Sequence, residues 1–474
     1  MIRLPDASSL SAEAQYGLTV LLDLSRLVVG NGPTESVRLE VTEAVLPPGI
    51  LPPADSITHA DGLVQVPAAT LVRAGALAGA SVERASSLRD RFDRVPAAAN
   101  PLVIGGVERA PILSELGGVL RCAAAAAAGT RSFRVAAPWP DGRRWAVALT
   151  HDLDVVVGWP AFTLLRLAEL IRKGEGRRIG LVLGAALAAL GRDPVVAGIE
   201  ALLAIEADAA IRSTWFVICG TPTARSWHQG DITYQPESAR TRWIITAIQR
   251  AGHELGLHGS FDTSDTTTLF SEQRTRLQGL TGAPIAGVRQ HFLKMRPGET
   301  QEAMAAAGFT FDASFGFADR NGFRLGAADL LPLPDRFGFD LAPFCWMDRA
   351  LSKYRGIESP GAWVDDALAL ADVCRSCEGL WSGIWHPNLT AALGFPGGLE
   401  AYADLVKGLL SRGGPWTAPL GPIVDWRRGR REIRALGVRA DGSVDAVAPG
   451  VFAGSYWLED AHGNCRERVG TSAL

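Results

Sequence analysis

Trp145-Ala-Val-Ala-Leu-Thr150-His151-Asp152-Leu153-Asp154 is an apolar run that stops abruptly in residues able to bind a metal or move a proton. A strand interior has no use for such groups, whereas a strand end facing a cleft does. A second stretch, Gly252-His253-Glu254-Leu255-Gly256-Leu257-His258-Gly259-Ser260, has the same form. The pair makes the chain read as a metal-dependent α/β hydrolase, provided the two ends converge.

Outward from these stretches, apolar strand candidates alternate with helical ones between 145 and about 410. Strands are predicted at Trp145–Thr150, Thr214–Ile218, Glu254–His258, near Gly287–Arg289, at Phe309–Ser314 and at Leu380–His386. Helices are predicted at 161–172, 195–209, 236–251, 298–307, 361–376 and 398–411. Pro236 suits a first helical turn, and Gly252 and Gly308 suit left-handed C-terminal caps. Alternating β and α predicts a parallel sheet, and polar groups at several strand ends favour a (β/α) barrel over an open sheet.

The flanks read differently. At 474 residues the chain is too long for one ordinary core. Residues 1–140 carry no cluster of catalytic residue types and read as a small α/β domain of unassigned role: a helix at Tyr16–Leu27, a strand at Val37–Val45, helices near 67–78 and 111–128. Ala136–Gly142 reads as a linker into a barrel domain, 141–412. After Gly413–Pro422 comes a β-rich extension, 413–474, with strand-like pieces at Ile433–Val438, Val444–Val447 and Val451–Leu458 and an Asp441-Gly442 hairpin turn; it is expected to pack on the barrel.

Hydrophobic residues make up 47% and charged residues 20%, a globular composition. A net charge of −3 leaves no footprint for nucleic acid or an anionic membrane. The N-terminus lacks a basic and apolar leader, which points to a cytoplasmic protein. The longest apolar stretch, Ile179–Leu190, is too short to span a bilayer and reads as a buried or interfacial helix. Cys374-Arg-Ser-Cys377 has CxxC spacing but no second pair, so core-facing thiols are the better reading.

The chemistry gathers at the strand ends. Asp152 and Asp154, two apart, share a face of a strand. Two carboxylates there repel, and both stay ionised only beside a cation. His258 ends the second strand, with an oxygen donor, Asp262, a turn later; His253 reads as structural. Arg289 can pair with Asp152 and hold it ionised, and His291 can ligate or touch substrate. Asp312 and Asp348 end further apolar runs, and His386 ends the last strand, where a general acid would stand opposite a base.

Taken together, these segments resemble the polysaccharide deacetylases, the NodB-homology domains of carbohydrate esterase family 4, over roughly 145–410. Thr150-His-Asp152-Leu-Asp154 resembles that family's first motif, Gly252–His258 its second, Arg289-Gln-His291-Phe292 its third, Phe311-Asp312 a fourth and Trp385-His386 the fifth. Two positions depart from the pattern: Asp262 stands where a second His is usual, and His291 where a Pro is usual.

The resemblance implies an irregular (β/α) barrel of about seven strands and a divalent metal, Zn²⁺ first. It implies Asp154 and His258 as ligands, with Asp262, His291 or water as the third; Asp152 as base, tethered by Arg289; and His386 as acid. His291, Phe292, Asp312 and Asp348 fall on the substrate and oxyanion side. The implied reaction removes acetyl groups from N-acetylated sugars of a polysaccharide or glycan precursor. A non-catalytic carbohydrate-binding relative and an amidohydrolase of small amides are the alternatives.

Overall fold

Ala146–Leu153 forms a strand, β1, with every residue buried, as expected for a parallel strand covered on both faces. The structure, a computed structural model, describes residues 2–30, 37–129, 133–189, 191–334, 336, 338–438, 444–449, 456–460 and 467–472. The other strands of this sheet are β2 (Thr214–Ile218), β3 (Glu254–Gly259), β4 (Gly287–Gln290), β5 (Phe311–Asp312), β6 (Leu331–Pro332), β7 (Asp340–Leu341), β8 (Trp346–Met347), β9 (Leu380–Ile384) and β10 (Trp416–Thr417). Their order is β6-β7-β5-β4-β3-β2-β1-β9-β8, with β10 added beside β1. All pairings are parallel except β6 with β7. The sheet curls into a half-barrel, an α/β architecture of (β/α)-barrel type.

The pleat of β1 decides what each residue meets. Val147, Leu149 and Leu153 pack toward the surrounding helices, while Ala146 and Ala148 face the interior with Phe216 and Phe311. Thr150 and Asp152 continue the interior row; His151 falls in the helix-facing row.

Most predicted elements form. The long connection after β1 folds into α1 (Trp159–Lys173), α2 (Gly176–Ala188) and α3 (Pro194–Asp208). Gly252 and Gly308 have positive φ (78° and 86°) just past their helices. Pro236 does not begin a helix: Ser238 caps a helix starting at Ala239 by accepting the Thr241 N–H. The predicted Phe309–Ser314 strand shortens to β5, because the Asp312 carboxylate takes the Ser314 N–H at 2.8 Å and ends the ladder. A helix at Thr268–Thr281 was not predicted; it is mostly polar and buries only Phe270, Gln273 and Leu277. Cys374 and Cys377 are free thiols, Cys374 in the core.

The tail packs on the barrel, and its strands also complete a second sheet with the N-terminal region. Strands Ile2–Arg3, Val29–Gly30, Val37–Thr42, Thr58–Ala60 and Leu63–Pro67 join Arg134–Ala136 and the C-terminal strands Arg434–Val438, Val444–Pro449, Tyr456–Asp460 and Glu467–Ser472 in one sheet. The junctions are Val29 beside Arg434 and Ala136 beside Leu458. The predicted Asp441-Gly442 turn lies outside the described residues, between two strands that pair antiparallel. Helices Ala12–Ser25 and Ala68–Ala78 cross on this sheet so closely that a Cβ on Gly17 or Gly75 would overlap the facing backbone. The expected linker is packed: Ala136, Ala137 and Trp139 are buried, and the Trp139 indole donates to the Glu378 carbonyl.

Helix Leu420–Arg431 seals the lower end of the half-barrel. Its first N–H groups donate to Thr214 and Glu254 at the starts of β2 and β3. Arg427 and Arg431 then reach Asp23 of the first helix, and Arg427 also reaches Asp329 (2.6 Å). This end is plugged, so the site forms at the other.

Candidate metal centre

At the C-terminal ends of β1, β3 and β4, Asp154, His258 and His291 bring one ligand atom each within 4.8 Å of one another. Asp154 Oδ1 lies 3.3 Å from His258 Nε2 and 3.6 Å from His291 Nε2, and Oδ2 lies 3.5 Å from His386 Nε2. Both ligand-type histidines are oriented from behind. His258 Nδ1–H donates to the Arg289 carbonyl (2.9 Å), and His291 Nδ1–H donates to Asp231 (2.7 Å). With Nδ1 engaged, each Nε2 faces Asp154 and is the atom placed to ligate a cation, the arrangement that metal-ligating histidines adopt. Asp154 Oδ1 is buried without a hydrogen-bond donor. A buried carboxylate oxygen without a donor and two imidazole nitrogens facing it suit a divalent cation.

Asp152 stands beside this group. Arg289 donates to its Oδ1 at 2.7 Å, and His258 Nε2 lies 3.7 Å from its Oδ2. The guanidinium is fully buried, with further bonds to the Thr150 hydroxyl and the Ala313 carbonyl and with the Phe216 ring beneath it (4.3 Å). Burial alone would raise the Asp152 carboxyl; Arg289, then His258 and His386, outweigh it and hold the group below the usual carboxylate range. On the far side, His386 Nδ1–H donates to buried Asp348 at 2.7 Å. Burial opposes a charge on this imidazole, but Asp348 outweighs it and raises the His386 pKa.

Of the predicted site residues, Asp152, Asp154, His258, Arg289, His291, Phe292, Asp348 and His386 come together. Asp262 does not: it lies half-exposed in the turn Phe261–Ser264, facing Arg225 at 3.6 Å. Asp312 is buried one strand away, where it accepts from Gln301 and Ser314 and supports β5; burial raises its pKa. His151 and His253 belong to a separate buried network around Glu206, which also accepts from Tyr402 and Ser213. Glu206→Gln is expected to destabilise the fold by about 3 kcal/mol, since it breaks a buried charged network. Metal stoichiometry should stay unchanged; urea unfolding and metal analysis on one preparation check both.

Asp231 was missed by sequence reasoning. It sits in a loop without periodicity, and only the fold brings it to His291 and to the Phe261 N–H (3.0 Å). Asp231→Ala is expected to weaken metal binding roughly 10–100-fold, as for other outer-shell partners. Chelator competition on the purified protein would measure it.

The centre opens into a cleft of about 340 Å³. Part of its wall comes from the N-terminal region, which sequence reasoning left without a role. Phe92 stacks on Phe292 at 5.0 Å, and Phe292 stacks on His291 at 4.1 Å. Phe292 and Leu293 both have φ of 56°, a strained left-handed conformation for residues with side chains. The Arg94 guanidinium holds the strained segment by donating to the Phe292 carbonyl at 2.8 Å. Arg349 and Lys353 also line the cleft, with Lys353 Nζ over the Phe292 ring at 5.7 Å.

No protein-family model matches the sequence, and no curated protein matches it. Solved structures do. The chain is similar to a protein assigned as a polysaccharide deacetylase from Mycobacterium smegmatis, with 22% identity over 62% of this chain and 93% of that one, TM-score 0.43. It is similar to Puue allantoinase, with 15% identity over 60% of this chain and 91% of that one, TM-score 0.40. It is also similar to a family 4 carbohydrate esterase from Streptomyces lividans solved with acetate, with 12% identity over 58% of this chain and 99% of that one, TM-score 0.32.

Proposed function

We propose that the protein is a metal-dependent deacetylase that hydrolyses the N-acetyl amide of an amino sugar. The observation that carries this reading is the convergence at one cleft of an Asp–His–His set, an Arg-tethered carboxylate and an Asp-backed histidine. Asp154, His258 and His291 would hold the ion. When bound, the ion supplies a Lewis acid that polarises the acyl carbonyl and acidifies water.

The chain's own groups do the rest. Asp152, kept ionised by Arg289, takes a proton from the attacking water as the new C–O bond forms. His386, oriented through Nδ1 by Asp348, gives its Nε2 proton to the nitrogen as the C–N bond breaks, releasing acetate and a free amine. The Phe92 and Phe292 rings, stacked on His291, add apolar wall to the cleft. A cleft of about 340 Å³, walled by Phe92 and Arg94, suits one or a few sugar units.

The test is acetate release from N-acetylglucosamine oligomers of graded length, together with metal analysis of protein purified without chelator. Bound stoichiometric metal with release of acetate supports the reading. Stoichiometric metal with ammonia released only from small amides would move the substrate away from sugars, and protein that takes up no metal would sink the enzymatic reading.

A further inference from the structure

The helix pair α1–α2 is not explained by the metal centre. Of the thirteen exposed large apolar side chains among the described residues, six lie here: Leu164, Leu165, Ile171, Leu181, Leu183 and Leu187, each 46–74% exposed. They are ordered, not scattered. On α1, Leu164, Leu165 and Ile171 follow helical spacing on the face opposite buried Thr163, Arg166 and Leu170. On α2, Leu183 and Leu187 stand one turn apart, and Val182 is the one fully buried residue. Gly174, with φ of 74°, turns one helix into the next.

The same segment is basic. Residues 159–192 hold six Arg or Lys and two Glu, a balance of +4 in a chain whose total is −3. Arg166, Lys173 and Arg178 are paired with Glu169, Glu175 and Glu358. Arg172 and Arg177, on either side of the Gly174 turn, are exposed and make no ion pair among the described residues. No helix among the described residues is long and apolar enough to cross a membrane. An apolar face bordered by unpaired cations is instead the pattern of a helix lying in a bilayer interface.

The geometry points to α1–α2 as a docking surface for an anionic phospholipid bilayer, with the leucines entering the acyl boundary and Arg172 and Arg177 meeting the headgroups. Charge decides against a second copy as the occupant, because a like pairing would set the exposed Arg172 and Arg177 of one copy against those of the other with no carboxylate of this face left to meet them. Phe162 of α1 also lines the cleft, so docking would set the cleft mouth beside the headgroups. This inference does not depend on the reaction proposed above.

Co-sedimentation of the full chain with vesicles tests it. The protein should pellet with phosphatidylcholine vesicles that contain phosphatidylglycerol and bind pure phosphatidylcholine more weakly. Arg172→Gln/Arg177→Gln should bind roughly tenfold more weakly or worse at low salt, and added salt should weaken the parent protein in the same way. Leu164→Ser/Leu165→Ser/Leu187→Ser should remain in the supernatant with an unchanged circular-dichroism spectrum, since all three side chains are exposed. The inference fails if the parent protein ignores anionic vesicles, or if the leucine variant still pellets. It fails equally if that variant merely dissociates a dimer that never bound lipid.

Discussion

Asp154→Asn is expected to lose metal and turnover together, whereas Asp152→Asn keeps the metal and loses turnover alone. The two carboxylates stand two residues apart at the end of β1 but have different partners. Asp154 Oδ1 faces the Nε2 atoms of His258 and His291 with no donor of its own, so its negative charge is what a cation would neutralise. An amide there offers a neutral oxygen. Affinity should fall by more than the roughly 10–100-fold typical of outer-shell changes. Asp152 is bound to Arg289 and stands farther from the imidazoles. Its amide cannot accept a proton, which should cost about 10²–10⁴ in kcat, the usual share of a general base. Metal analysis and acetate release on both variants separate the roles; equal metal loss would contradict the assignment.

Arg289→Met is expected to be the most destabilising single change at the site. The side chain is fully buried, bonded to Asp152, Thr150 and the Ala313 carbonyl, and lies over the Phe216 ring. Removing it leaves the Asp152 charge buried without its counter-ion, a loss of about 3–5 kcal/mol. Urea unfolding of metal-free protein would measure this. Adding Asp152→Asn to the same chain should recover much of the loss, because a neutral amide needs no guanidinium beside it. If the double variant is no more stable than Arg289→Met alone, packing rather than charge accounts for the effect.

The barrel strands were legible because short apolar runs end in polar residues, a pattern that strand pairing and burial both demand. Asp152 and Asp154 could be placed together from the two-residue period alone. The same period puts His151 on the opposite face, in the Glu206 network, although a list of histidines near strand ends does not separate them. The third ligand was open among Asp262, His291 and water. Only the backbone path beyond β3 resolves the geometry, because the turn Phe261–Ser264 carries Asp262 outward to Arg225 while β4 returns His291 to the cleft. Asp231, Phe92 and Arg94 could not be read, since loops carry no period. Nor could the whole-chain charge reveal the basic helix pair, because a balance of −3 averages it away.

The sheet that joins residues near Val29 to residues near Arg434 makes the half-barrel a guest held inside a host. The strand that leads into the guest, Arg134–Ala136, and the strand that follows it, Arg434–Val438, are both fastened into that one sheet, as the two parts of a clasp would be. Fastening them removes part of the freedom an opened barrel would gain, the effect a covalent cross-link has on a long loop. A shortened protein without either flank would therefore lose half of the clasp, and one without the leading flank would also lose the Phe92–Arg94 wall over the cleft.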